Sequence, residues 1–249
     1  MKVLVCVKQV LLLDGDVAFL GDGREVDPRC LDADLNDWDQ FAIEEALRLR
    51  EAHGGEVIAA TYGPSDADTV LRRALALGVN RVVRVDGARD DPYTVGEGLC
   101  RFAQRLQPDL ILCGAQSSDS AHAATGAVIA GLLDLPCVAV VTSVQIGLPE
   151  QCADVSRELE GGLADRLRVS LPAVLTVQTG INEPRHPNLR AIKLAEREAI
   201  EVFAGTQIDP AYRVRRMFVP ASNSQAKPLG ADVREAAKSL ARIIKERSG

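Results

Sequence analysis

The stretch Leu110-Ile-Leu-Cys-Gly-Ala-Gln-Ser-Ser-Asp-Ser-Ala-His-Ala-Ala-Thr-Gly126 decides how this chain folds. Leu110 to Cys113 are apolar without polar alternation, the pattern of a strand covered on both faces in a parallel sheet. A loop of small and hydroxyl-bearing residues follows. An apolar helical pattern then opens near Ala121 and runs to Leu133. In doubly wound α/β sheets, ligands bind beyond the carboxyl ends of the strands, where strand order reverses. Small residues let the backbone approach a ligand, and N–H groups at a helix start can receive phosphate oxygens. Ser117, Ser118, Ser120 and Thr125 add hydroxyl donors, although the same residues also suit an ordinary capped turn. The loop is neither GxGxxG nor GxxxxGK[ST], which disfavours a dinucleotide dehydrogenase and a P-loop NTPase. It contains no Lys, so a mono- or diphosphate suits it better than a triphosphate.

Outward from this loop the same alternation continues. Val3 to Val7, Glu56 to Tyr62, Arg81 to Val85, Cys137 to Val141 and Ala173 to Val177 read as further strands. Asn36 or Asp37 caps a helix with Phe41, Ala42, Leu47 and Leu49 on its buried stripe, ended by Gly54-Gly55. Ser65 and Asp68 suggest a shortened capping box before Val70, Leu71, Ala74 and Leu75, with Gly78 as the stop. Another helix is expected from Pro92 to Leu106. Strands alternating with helices predict a doubly wound, mostly parallel, nucleotide-binding α/β domain of Rossmann-like type. Beyond residue 150, Ala153 to Leu159 and Ala164 to Ser170 flank Glu160-Gly161-Gly162 and read as an added β-hairpin. Asn182 to Asn188 is irregular. Ser222 to Gly230 reads as a linker, and Ala231 to Lys245 as a terminal amphipathic helix with Val233, Ala236, Ala237, Leu240 and Ile244 on its apolar side.

The 249 residues are 47% hydrophobic and 26% charged, enough for a full core and too apolar for disorder as the main state. Aromatics make up only 4%, and the net charge is −6, both poor for nucleic-acid binding. That charge is divided. Residues 213–249 carry nine Lys and Arg against three acids, so the tail is +6 and the remainder −12. The expected organisation is a nucleotide-binding domain over 1–212 and an arm ending in a helix over 213–249. The arm is either a solvated helix or a segment that docks on a partner. Six Cys lack any CxxC spacing and His occurs three times, which disfavours a metal site. Cys6, Cys113 and Cys137 read as small buried hydrophobes, suited to a reducing, cytoplasmic setting. No apolar run reaches membrane-span length, and no membrane insertion is expected.

No catalytic constellation emerges: GxSxG and HExxH are both absent. His53 ends a helix, where it meets terminal carbonyls. His122 falls in the candidate phosphate loop and faces either ligand or solvent. His186 suits a surface position, and Glu44-Glu45 read as a solvated helix face.

Several segments together resemble the β subunit of electron transfer flavoproteins. Val3-Leu-Val-Cys-Val-Lys-Gln-Val10 looks like that family's first strand and turn. Asn36-Asp-Trp-Asp-Gln-Phe-Ala-Ile-Glu-Glu-Ala-Leu-Arg-Leu-Arg50 is similar to its NPFDEIAVEEALRLK helix. Gly63-Pro64, Arg72 to Arg81, Ser156 to Gly162, Leu171 to Ala173 and Ile181-Asn-Glu-Pro-Arg185 follow in the family's order. The resemblance implies a heterodimer with an α subunit that holds most of a redox-active FAD. It also implies a second nucleotide here, AMP in most members and a second FAD in electron-bifurcating ones. By position, the implied nucleotide contacts are Cys6, Asn36, Asp37, Trp38, Asp39, Tyr62, and the loop Gly114, Ala115, Gln116, Ser117, Ser118, Asp119, Ser120, Ala121, His122, Ala123, Ala124 and Thr125. The segment Asn182, Glu183, Pro184, Arg185 and then Leu189 would dock an acyl-CoA or related flavin dehydrogenase, with Leu189 as the apolar anchor.

The sequence departs from that pattern in three places. Leu11-Leu12-Leu13 stands where the family carries Pro-Asp in a turn facing the α-subunit flavin, and this exposed triple is an alternative partner contact. Ser120-Ala121 and Ala124 depart from the bifurcating DGDTAQ, which favours AMP over FAD. Asp37 and Trp38 replace Pro and Phe near the adenine. A carrier subunit without substrate chemistry is therefore expected. The alternatives are a bifurcating subunit with a second FAD and a stand-alone adenine-nucleotide-binding module.

Overall fold

A computed structural model describes all residues except 89–90, 148, 207, 222–227 and 248–249. The chain divides into two compact units, Met1–Arg216 and Met217–Gly249.

The first unit is an α/β fold on a nine-stranded, mostly parallel sheet with helices on both sides. Its strands are β1 (Lys2–Cys6), β4 (Glu56–Gly63), β5 (Arg81–Asp86), β6 (Leu110–Gly114), β7 (Cys137–Gly147), β8 (Cys152–Glu158), β9 (Ala164–Ser170), β10 (Ala173–Val177) and β11 (Glu201–Phe203). They lie in the order β11-β5-β4-β1-β6-β10-β7-β8-β9. A separate two-stranded ribbon, β2 (Gln9–Leu13) against β3 (Leu31–Leu35), leaves the end of β1 and returns to α1 (Asp37–His53). The remaining helices of this unit are α2 (Asp68–Leu77), α3 (Pro92–Leu106), α4 (Thr125–Leu133) and α5 (Leu189–Ala195).

The period-2 alternation of strand side chains explains the two-sided core. Val3, Val5, Ala59, Leu110, Leu112 and Leu175 face one way, under Ile43, Leu47, Leu71 and Ala74 of α1 and α2. Leu4, Ile58, Ile111 and Val174 face the other way, under Leu99, Phe102, Ile129 and Ala130 of α3 and α4. Each fully buried aliphatic side chain contributes about 1.5–3 kcal/mol of burial free energy. From β1 the chain winds outward through β4 and β5, then crosses back to place β6 on β1's other flank. Strand order therefore reverses between β1 and β6, and the loops after these two strands meet at their carboxyl ends.

Several local expectations change. The helix after β6 starts at Thr125 rather than Ala121, because Ala121 and Ala123 adopt left-handed backbone (φ 51° and 52°). Ser65 caps nothing: it opens a short 3-10 turn, Ser65–Ala67, and α2 begins at Asp68 without a side-chain cap. Leu11-Leu12-Leu13 is strand, not turn, paired with Leu31–Ala33, and Leu12 and Leu13 are exposed. Cys137 is exposed at the start of β7, whereas Cys6 and Cys113 are buried. Glu44 and Glu45 are buried, not solvated, because the chain after β10 folds back over α1 and covers them.

In the second unit, α6 (Val233–Arg247) starts on Asp232, whose carboxylate accepts from the N–H groups of Arg234 and Glu235. Val233, Leu240 and Ile244 stand exposed along it. Most of the Ser222–Gly230 linker lies outside the described residues. Among the described residues no helix is long and apolar enough to cross a membrane, and no cluster of His, Cys, Asp and Glu suits a metal ion.

Candidate nucleotide site

At the reversal point one buried carboxylate ties the sheet ends together. Asp39, in the first turn of α1, accepts from the backbone N–H of Lys8 through Oδ2 (2.7 Å) and of Gly114 through Oδ1 (3.0 Å). Burial pushes its carboxyl up to about 7, against the Lys8, Asn36 and Gly114 donors that favour the ionised form. Gly114 is required beside it, because a Cβ there would run into Oδ1 of Asp39 and Cβ of Trp38. Gly114→Ala is expected to destabilise the protein by about 1–3 kcal/mol, the range for overpacking a filled core, measured by denaturant titration.

Asn36 braces the loop itself. Its side-chain amide donates to the Gln116 carbonyl (2.9 Å), and its Oδ1 accepts from the Ser118 N–H (3.3 Å). The expected helix cap thus spends its side chain on the loop, and makes no side-chain cap of α1.

The cation missing from the loop arrives from β1. Lys8 Nζ lies 2.6 Å from Asp119 Oδ1 and 3.0 Å from both Ser117 Oγ and Ser120 Oγ. Burial opposes ionisation of Asp119, but the hydrogen bonds from Lys8 and Ser117 outweigh it and hold the carboxyl below its ordinary value. Further along, Ala123 is left-handed and Ala124 right-handed (φ −116°, ψ −26°), immediately before α4. Backbone of alternating hand turns successive N–H groups to one side, the geometry of an anion-binding nest. An ammonium, two hydroxyls and a nest at a helix start suit a phosphate.

The other residues expected at this site are spread around it. Cys6 is buried against Cys113 across the β1–β6 register. Its hydrogen bond, then burial, raise the Cys113 thiol. The Tyr62 ring, at the end of β4, lies so close to Gly87 and Gly98 that a Cβ at either would overlap it. Trp38 sends its indole N–H to Gln178 Oε1 (2.9 Å) after β10, and Asp37 accepts from Gln40. His122 Nε2 lies 2.8 Å from the Tyr212 hydroxyl. Lys8 and Tyr212 were not singled out by sequence. Each lies about 90 residues or more from the loop it touches, and only the topology joins them.

The segment 182–189 lies elsewhere, on α1. Asn182 donates to the Phe41 carbonyl and Glu45 (both 3.0 Å), and Arg185 reaches Glu44 (2.7 Å) and Glu51 (2.8 Å). Burial opposes ionisation of Glu44, but hydrogen bonds from Arg185 and Arg48 hold it below the usual range; burial raises Glu45. Leu189 then opens α5 with two-thirds of its surface exposed.

Fold and site together define an α/β protein with a phosphate-suited loop at its topological switch point. Residues 28–207 match the family model described as "Electron transfer flavoprotein domain". The chain is 38% identical to the electron transfer flavoprotein subunit beta of Methylophilus methylotrophus, with both chains fully covered. It is 31% identical to that of Bacillus subtilis (85% of each chain) and 35% identical to that of Homo sapiens (81% of this chain, 80% of the human one). The chain belongs to the electron transfer flavoprotein β-subunit family.

Proposed function

We propose that this chain is the β subunit of a heterodimeric electron transfer flavoprotein, that it binds AMP as a structural nucleotide, and that it performs no substrate chemistry of its own. The observation that carries the AMP reading is the single ammonium of Lys8 placed against the Ser117–Ser120 hydroxyls, beside the nest before α4. The ammonium is already paired with Asp119 at 2.6 Å, so the cluster has no surplus of positive charge, which answers a monophosphate better than a longer phosphate chain. Lys8, Ser117, Ser120 and the N–H groups opening α4 would hold the phosphate, while Asn36 and Asp39 keep the loop in place. The FAD held mostly by the α subunit supplies the electron chemistry.

In this reading the β subunit positions and docks. Leu189, exposed at the end of a segment tied to α1 by Glu44 and Glu45, is the apolar anchor for a partner flavin dehydrogenase, with Asn182, Glu183, Pro184 and Arg185 as its tether. The +6 tail from residue 213 onward, with the exposed face of α6, clasps the α subunit. The test is co-expression with a candidate α subunit and size-exclusion chromatography. A 1:1 flavin-containing complex supports the reading, and a monomer that hydrolyses ATP overturns it. Leu189→Ala should raise KM for the partner dehydrogenase about tenfold or more, the loss of a central apolar anchor, and leave the flavin spectrum unchanged.

A further inference from the structure

After β11 the chain returns as a strap along the carboxyl ends of the strands, and four contacts pin it. Gly205 lies so close to the end of β5 that a Cβ would overlap the Asp86 carbonyl. Arg101 of α3 donates to Thr206 Oγ1 (2.8 Å). The Ala211 N–H donates to Asp91 Oδ2 (2.8 Å), and Asp91 at the same time caps α3 through the N–H groups of Tyr93 and Thr94. At the last point the Tyr212 hydroxyl meets His122 Nε2, with the two ring centroids 5.9 Å apart. His122 is the middle residue of the loop's left-handed pair, Ala121 and Ala123. Such backbone costs a non-glycine residue about 1 kcal/mol or more, and it persists only where surrounding contacts hold it.

The strap is therefore fixed to α3 and β5 on one side and to the phosphate-suited loop on the other. Its end touches that loop three residues before α4 begins, next to the nest. Burial and the charge of Asp91 push the Tyr212 phenol up, so the hydroxyl stays protonated and uncharged beside His122. Resting on the nucleotide reading above, we propose that the Tyr212–His122 contact is a latch of the nucleotide site: it clamps the strap's end, 208–212, onto the loop that receives the phosphate, and so sets how long the nucleotide stays. Tyr212 is then a positioning residue of the site, acting through His122.

The experiment uses the full-length protein with the chain that accompanies it, loaded with radiolabelled AMP and chased with excess unlabelled AMP. Tyr212→Phe removes the hydroxyl and keeps the ring, so folding is preserved. The release rate should rise about tenfold while the melting temperature of the nucleotide-free protein stays unchanged. His122→Ala should give a similar rise, and the double variant no further one, as expected of two halves of one contact. AMP bound by the wild type but released at the same rate from Tyr212→Phe would overturn the latch and leave the nucleotide site standing. Additive effects of the two substitutions would also overturn it. A wild-type protein with no affinity for AMP would overturn the nucleotide reading, and the latch with it.

Discussion

Replacing Asp39 with Ala is expected to cost roughly 2–5 kcal/mol of stability, because two partly buried N–H groups lose the carboxylate that accepts from them at about 1–3 kcal/mol each, and to strip the protein of bound nucleotide. The two donors belong to Lys8, just past β1, and Gly114, the last residue of β6. Without the carboxylate the two loops lose their shared acceptor and are left with the Asn36 brace, so Lys8 loses its fixed approach to Ser117, Asp119 and Ser120. Asp39→Asn keeps the volume but turns an NH2 toward one of the two N–H groups, so it should be nearly as damaging.

The same residue has a pH signature. Its carboxyl ionises near 7 in the folded chain and at 3.8 when unperturbed, so the folded state holds the extra proton between these values. The stability this group contributes is fully present below pH 3.8 and is lost as pH rises through about 7. Stability of the wild type minus that of Asp39→Asn should therefore fall by up to about 4 kcal/mol between pH 4 and 7.5, a three-unit shift at 1.36 kcal/mol per unit. Subtracting the variant removes the other carboxylates, among them Glu44, Asp91 and Asp119, whose lowered values work in the opposite sense. A difference that is flat with pH would contradict the burial assigned to Asp39.

The second large effect is expected at the tether. Arg185→Met should cost roughly 2 kcal/mol, less than the 3–5 of a fully buried pair because the guanidinium is 35% exposed and Arg48 stays on Glu44. The loss should also appear where a purely structural change would not: KM for the partner dehydrogenase rises and kcat holds, because the segment carrying Leu189 is freed from α1. Glu44 has a lowered carboxyl, so its share of the tether is present above its ordinary value near 4.5 and is lost as pH falls through the lowered one. Docking should weaken in acid. Urea titration of the variant and steady-state kinetics at two pH values check both parts.

The sheet was legible because its strands are apolar runs bounded by glycines and caps, and the loop after β6 was legible because strand-end logic marks it. Two kinds of feature were not. One is anything that depends on a long return of the chain. Glu44 and Glu45 read as solvated because helical periodicity says nothing about a segment 137–141 residues later that covers them. Lys8 was invisible as the loop's cation for the same reason, since its side chain reaches across the β1–β6 boundary to residues 109–112 positions away. The other is backbone hand. Nothing in Ala121-His-Ala-Ala124 announces a left-handed pair, and Ala is the residue most prone to continue a helix. The ribbon of β2 and β3 escaped because Leu31–Leu35 alternates apolar and acidic residues rather than forming the continuous apolar run that marks the strands of the covered sheet.

On the proposed function, this chain carries one adenine mononucleotide and leaves the electron chemistry to its partner. The most direct measurement is to purify the chain with its co-purifying subunit, denature the complex, and quantify released nucleotides by chromatography and mass spectrometry against protein. One FAD and one AMP per heterodimer is the expected result. Two FAD per heterodimer, or one FAD with no AMP, would contradict it.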